Sequence, residues 1–250
     1  MAPPQRWPAE AALVQAMELD SSEPGPGHRT TSTGLKELDR LLGQGYPDRS
    51  TILVVGPSGI GKEALRYWFI RSGLVQGDFC LYLTKSTPSE VLHDMRGFGA
   101  ETDRAPMWFA REGGEVRFDV NDLAELSFKL KEILQQNSKR RIRIATDVLS
   151  SLLVLNQMET VYRFLAQLFA DIKQYEAVLV ATLEEGMHDP KVVSAMGEVF
   201  DGVIEFKLYE EGLRVTPLLR VRKMRGIPTQ PGYFNFAMTR GRMEISAYVR

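Results

Sequence analysis

Gly56-Pro57-Ser58-Gly59-Ile60-Gly61-Lys62 has the residue types and spacing needed to hold a chain of phosphates. Such a chain is gripped by backbone that curls around it with successive N–H groups turned inward, and glycines permit both the curl and the close approach. The run fits the pattern G-x-x-x-x-G-K. It falls between a β-branched strand candidate, Thr51 to Val55, and a helical stretch from Lys62 to Ile70. In that context the helix adds its positive N-terminal end, and Lys62 adds a point charge to the outer phosphates. The competing reading is a glycine-rich turn that keeps the shape without the ligand.

The residue after Lys62 decides what metal chemistry is available. A Ser or Thr hydroxyl there ligates Mg²⁺ in sites of this kind, and here the position is Glu63. A carboxylate is an oxygen ligand for a hard cation, yet it is longer, fully charged and close to Lys62. Glu63 is thus a candidate metal ligand, but loss of ordinary magnesium chemistry is the favoured outcome. It also suits the first turn of a helix, where negative charge meets the macrodipole. Asp147 follows the strand candidate Arg141 to Thr146, at the edge where open α/β sheets bind ligands. It is the expected second metal carboxylate, with a helix N-cap as its structural alternative. Thr182 closes another strand candidate, Ala177 to Thr182, where a hydroxyl can sense a γ-phosphate. Glu184 and Glu185 follow it and read best as a solvated loop, with a late acid/base pair as the alternative.

Arg220, Arg222, Lys223 and Arg225 form a cation cluster in a region of strands. Alternation puts Arg220 and Arg222 on one face and Lys223 and Arg225 on the other. The readings are a solvated face, a finger pair for a neighbour's triphosphate, or a nucleic-acid contact. His28, His93 and His188 show no metal-ligand spacing. Cys80 reads as a small buried hydrophobe, and Trp108 and Phe109 suit a buried strand.

Positioning these residues requires strands alternating with helices. Leu35, Leu38, Leu41 and Leu42 share a helical face that Gly43, Gly45 and Pro47 end. Phe79 to Thr84 reads as a strand, followed by a helix capped at Ser89 and ending at Gly97. Asn121 or Asp122 caps an amphipathic helix reaching about Asn137, and a long helix covers Glu159 to Tyr175. Ile142 to Thr146 is a strand with a charge, Arg143, inside it. The alternation predicts an α/β fold with a mostly parallel sheet covered on both faces. Short strands after Val203 read as hairpins extending one edge. Residues 1–28, rich in Pro and Gly, read as a flexible tail or a docking segment, with one domain over 29–250.

The chain has 250 residues, with 31 Lys+Arg against 32 Asp+Glu and a formal net charge of -1. That balance disfavours a protein that coats nucleic acid. A single cysteine excludes an internal disulfide framework, and no apolar run approaches the roughly 20 residues of a membrane span. A cytoplasmic protein with no membrane association is expected.

Residues from about 29 to 249 resemble a KaiC-like domain of the RecA superfamily of P-loop ATPases. The resemblance is carried by Thr33-Gly34-Leu35, Leu38-Asp39 and the run Leu41 to Pro47 upstream of the phosphate loop. Tyr82, Pro88, Phe98-Gly99, Asp147 with Leu149-Ser150, and Val221 to Gly226 support it. It implies a RecA-like fold, ATP as ligand, and homo-oligomers, commonly six-membered rings with the nucleotide between subunits. It further implies that Lys223 and Arg225 reach a neighbour's γ-phosphate. The glutamate pair that polarises the attacking water in active members is replaced here by Ser86 and Thr87. Together with Glu63, this suggests ATP binding with weak or lost hydrolysis, in a nucleotide-dependent signalling module that a partner protein reads. A DNA-dependent recombination ATPase is the alternative.

Overall fold

A computed structural model describes residues 29–100, 107–110, 118–229, 231–239 and 242–247. The expected tail lies outside them. Two short strands, β1 (Thr30–Thr31) and β2 (Tyr46–Pro47), pair as an antiparallel ribbon around α1 (Lys36–Leu41). Asp39 ties that ribbon down by accepting from Ser32 Oγ and the Thr33 N–H, each at 2.7 Å.

The main sheet is built on β3 (Thr51–Gly56). Every residue of this strand is buried, as expected of a strand with helices on both faces. The other strands are β4 (Phe79–Leu83), β5 (Trp108–Ala110), β6 (Ile142–Thr146), β7 (Ala177–Glu184), β8 (Gly202–Glu211), β9 (Arg214–Met224), β10 (Phe234–Thr239) and β11 (Arg242–Ala247). Among the described residues the order is β11-β10-β9-β8-β3-β7-β6-β4-β5. Neighbours from β8 to β5 run parallel, while β8 to β11 are joined antiparallel. The α/β class and the C-terminal hairpins on one edge therefore stand as expected.

The helices α2 (Glu63–Gln76), α3 (Pro88–Gly97), α4 (Leu123–Gln136), α5 (Leu149–Leu155), α6 (Met158–Gln174) and α7 (Pro190–Val199) cover the two faces. The even side of β3, Ile52 and Val54, packs with α1, α2 and α3, while Leu53 and Val55 pack under α4 to α7. The two cores are separated only by the sheet, so the period-2 alternation of β3 assigns each helix layer its own set of residues.

Three local expectations are corrected. The cap of α3 is Thr87 rather than Ser89. Thr87 accepts from the Glu90 N–H while Glu90 returns to the Thr87 N–H, a reciprocal box that Pro88 at the first helical position reinforces. Trp108 is not in a buried strand, because β5 is the sheet's edge and the indole is 48% exposed. The helix after the phosphate loop runs past Ile70 to Gln76.

Arg143, the charge inside β6, is fully buried. It donates to Asp78 Oδ2 at 2.7 Å and to the carbonyls of Ser32 and Phe69. Burial pulls its pKa down, against the opposing effect of Asp78. Gly73 on α2 makes the room, since a Cβ there would lie 2.4 Å from Arg143 Cδ. The guanidinium thus pins the start of the domain, α2 and β6 together below the loop.

Candidate phosphate site

The carboxyl ends of the parallel strands converge on one edge of the sheet. The register sets Gly56 of β3 against Glu184 of β7, Thr146 of β6 against Ala181, and Leu83 of β4 against Thr146. The residues just beyond those ends are therefore neighbours whatever their distance in sequence. This crevice is where open α/β sheets take ligands.

The loop from Gly56 to Lys62 leaves β3 here and enters α2. Gly59 and Gly61 hold positive φ values of +75° and +89°, the conformations that turn successive N–H groups to one side. Lys62 is the N-cap of α2, and no side chain caps that helix end. A helix N-terminus opening on a glycine loop is suited to an anion.

Lys62 itself is 0% exposed, and its three ammonium protons face three oxygens of the chain. Nζ lies 3.0 Å from the Pro57 carbonyl, 3.3 Å from Glu63 Oε1 and 2.7 Å from Glu184 Oε1. In this arrangement two carboxylates hold the charge that a phosphate would otherwise meet.

Glu184 overturns two expectations. Strand β7 does not stop at Thr182: its pairing with β3 continues through Leu183 and Glu184. Thr182 therefore sits two residues inside the strand, 6% exposed, and Glu184 takes the terminal position. Nor is Glu184 part of a solvated loop, since it grips Lys62 and its own N–H is held by Ser150 Oγ at 3.0 Å. Glu185 does begin the turn beyond and is exposed.

Asp147 lies at the end of β6, on the same edge. The N-cap reading fails, because Val148 occupies the cap of α5 and no side chain caps it. Instead Asp147 Oδ2 accepts from Thr84 Oγ1 at 2.9 Å and lies 3.0 Å from Arg66 Nη1, an ion-pair contact. Sequence reasoning missed Arg66. The signal was present: it follows Lys62 by four residues, so it lies on the same face of α2, one turn on.

The donor set can be tested against magnesium. The hydroxyl that should follow Lys62 is a carboxylate engaged with Lys62, and the second carboxylate, Asp147, is paired with a guanidinium. These residues do not fit a magnesium ion.

Ser86 and Thr87 follow β4 where a water-polarising pair is expected. Thr87 is engaged in capping α3, and Glu90 is turned onto Thr87. The loop end of the sheet thus brings together Lys62, Glu63, Asp147 and Glu184. It does not include Lys223 and Arg225. Val203 pairs with Lys223, and Gly202 pairs with Met224 and Ile52, which places both cations at the opposite, amino end of β3. There Lys223 donates to the Glu198 carbonyl, and Arg225 pairs with Asp201 at 2.8 Å.

Comparison with known proteins agrees with this geometry. A circadian clock protein KaiC3 of Synechocystis sp. is 25% identical over 222 residues, covering 85% of this chain and 42% of its own length. A UPF0273 protein of Thermotoga maritima is 26% identical over 225 residues, covering 79% of this chain and 88% of the relative. One from Methanopyrus kandleri is 27% identical over 214 residues, covering 78% and 83%. The chain spans less than half the length of the clock relative it matches. The family described as "ATPase: KaiC" matches residues 31–248. With a phosphate loop at the carboxyl edge of a RecA-like sheet, the chain belongs to the KaiC family of ATPases, a nucleotide-binding branch of the RecA superfamily.

Proposed function

We propose that this chain binds ATP on Gly56, Pro57, Ser58, Gly59, Ile60, Gly61, Lys62 and Glu63, and that it responds to occupancy rather than turning the nucleotide over rapidly. The observation that carries this reading is the contrast at one sheet edge. The glycine loop keeps its left-handed turns and buried lysine, while the positions that the family resemblance assigns to water activation hold Ser86 and Thr87, neither of which is a base near neutral pH. Loss of a general base costs about 10²–10⁴-fold in rate. In such a protein ATP acts by stabilising the state that binds it.

Lys223 and Arg225 support an assembled state. They lie at the far end of β3 from their own loop, so they serve a γ-phosphate only across a subunit boundary, in a ring that is commonly six-membered in this family. A signalling role, read out by a partner protein in the cytoplasm, follows from occupancy-dependent assembly. A second reading has one observation in its favour. Glu184 reaches Lys62, the residue that would meet the outer phosphates, and so stands where a relocated base in an active, DNA-dependent ATPase would.

Isothermal titration with ATP and steady-state phosphate release, with Lys62→Ala as control, separate these readings. We expect saturable, Lys62-dependent binding with turnover far below about 1 s⁻¹. Lys62-dependent turnover at or above that rate, raised further by DNA, overturns the proposal in favour of the recombination-type enzyme. Sedimentation velocity with and without ATP tests the assembly, which Arg225→Ala should weaken.

A further inference from the structure

Helix α2 lays two cations, one turn apart, across the ends of two adjacent strands. Residues four apart on a helix rise by about 6 Å, close to the roughly 4.8 Å between neighbouring strands. Lys62 accordingly meets the carboxylate ending β7, Glu184 at 2.7 Å, and Arg66 meets the one following β6, Asp147 at 3.0 Å. The two pairs are alike in exposure, each setting a buried cation against a carboxylate 28% exposed, and differ in that Asp147 is also held by Thr84 Oγ1 at 2.9 Å. Glu184 is 28% exposed and Glu63 25% at their side chains, so both can swing outward when phosphates claim Lys62. The Arg66 side chain is 4% exposed and lies against the rings of Tyr67 and Tyr82, with its Cζ 5.7 Å and 5.6 Å from their centroids. Its Nε and Nη1 are buried with no hydrogen-bond partner, so the contact with Asp147 is an ion pair that leaves donor capacity on the guanidinium.

We infer that Arg66 is a built-in counter-ion that takes the place of the divalent metal at Asp147, so that this site takes the metal-free nucleoside triphosphate. The inference rests on the nucleotide-binding reading above. A divalent ion placed on Asp147 would face a full positive charge that has no route to solvent, on a carboxylate whose Oδ2 already serves both Arg66 and Thr84. The missing hydroxyl after Lys62 removes the other ligand such an ion requires. A triphosphate that displaces Glu63 and Glu184 meets instead Lys62, the loop N–H groups and the end of α2, beside an already neutral Arg66–Asp147 pair. Glu63 in the loop and Arg66 one turn further thus become one arrangement, in which no metal ligand is needed and none is offered.

The test is ATP binding by calorimetry to the wild-type chain in excess EDTA and in excess Mg²⁺, with a parallel titration of Mn²⁺ followed by its paramagnetic resonance signal. The expected result is an affinity in EDTA within about threefold of that in Mg²⁺, or tighter, and no Mn²⁺ immobilised by the protein–ATP complex beyond what ATP alone binds. Arg66→Ala should weaken binding in EDTA by about tenfold or more and recover with Mg²⁺. Arg66→Lys, which keeps the charge, should remain metal-independent and guards against a folding defect in the alanine variant. Binding to wild type more than about threefold tighter with Mg²⁺ overturns the inference while leaving the nucleotide-binding reading intact. Absence of ATP binding in both conditions overturns that reading and the inference with it.

Discussion

Glu184→Gln isolates the contact that most directly opposes a nucleotide. Glu184 Oε1 sits 2.7 Å from an ammonium with no solvent exposure, and its backbone N–H is held by Ser150 Oγ, so the side chain starts from a fixed point at the end of β7. At an effective dielectric of about 20 the gross attraction of such a pair is about 6 kcal/mol. The net worth of a hydrogen bond to a charged group is smaller, about 1.5–3 kcal/mol. ATP must give up that net amount to take Lys62, and it also meets the repulsion of the displaced carboxylate. The glutamine keeps shape and one acceptor oxygen but removes the charge, so ATP binding should tighten by about ten- to a hundredfold. Calorimetric titration of ATP into wild type and variant, at one ionic strength, measures the difference. An affinity within twofold of wild type would show that Glu184 does not gate the lysine. Weaker binding would mean that Glu184 assists the nucleotide, and would turn attention to the relocated-base reading.

Two further expectations concern the frame around the site. Asp78→Ala leaves the buried Arg143 without its carboxylate but with its bonds to Ser32, Phe69 and Gln76, so urea denaturation should report a loss of about 2–3 kcal/mol, at or below the low end for a broken buried pair; a loss under about 0.5 kcal/mol would refute the role given to Arg143. Glu205, 4% exposed on β8, is pushed up by burial but more than offset by hydrogen bonds from Arg220, Lys207 and Tyr233 and by the charge of Arg220, so its folded-state pKa is lowered. Its contribution is therefore complete above the unfolded glutamate value of about 4.3 and is lost as pH falls through the depressed folded value. Acid titration of stability should show that loss in wild type and a flatter acid limb in Glu205→Gln.

The parts of this molecule that the sequence discloses are those whose signal is local. Glycine spacing in the loop, the apolar β3 run and the leucine faces of α1 and α4 are set by residues within one or two turns of each other, and they appear where the pattern puts them. The end of β7 is different. Thr182 closes the β-branched run, yet the strand continues to Glu184 because Val55 and Gly56 of β3 are there to pair with Leu183 and Glu184, a fact held by another segment. Trp108 failed for a related reason: an apolar triplet does not say whether its strand will have one neighbour or two. The short apolar α5 and the capped α7 carry too few periodic residues to stand out in the sequence, although Asp189 followed by Pro190 is a recognisable helix start.

The substitutions that look like erosion in sequence are paired in space. Taken singly, Glu63 appears as a lost metal ligand and Arg66 as an unremarkable helix residue. With Lys62, Asp147 and Glu184 they form three opposite-charge contacts at adjacent strand ends, Lys62 with Glu63 and Glu184 and Arg66 with Asp147, and Lys62 is saturated by three oxygens. A site that had simply decayed would be expected to leave a buried charge uncompensated, at a cost of several kcal/mol, or to have lost the lysine. Here both cations are buried and each meets a carboxylate 28% exposed, of which Asp147 alone is held by a further hydrogen bond, from Thr84 Oγ1. That asymmetry is what a site needs if it is to open for a polyphosphate on the Lys62 side while keeping its own counter-ion on the Arg66 side.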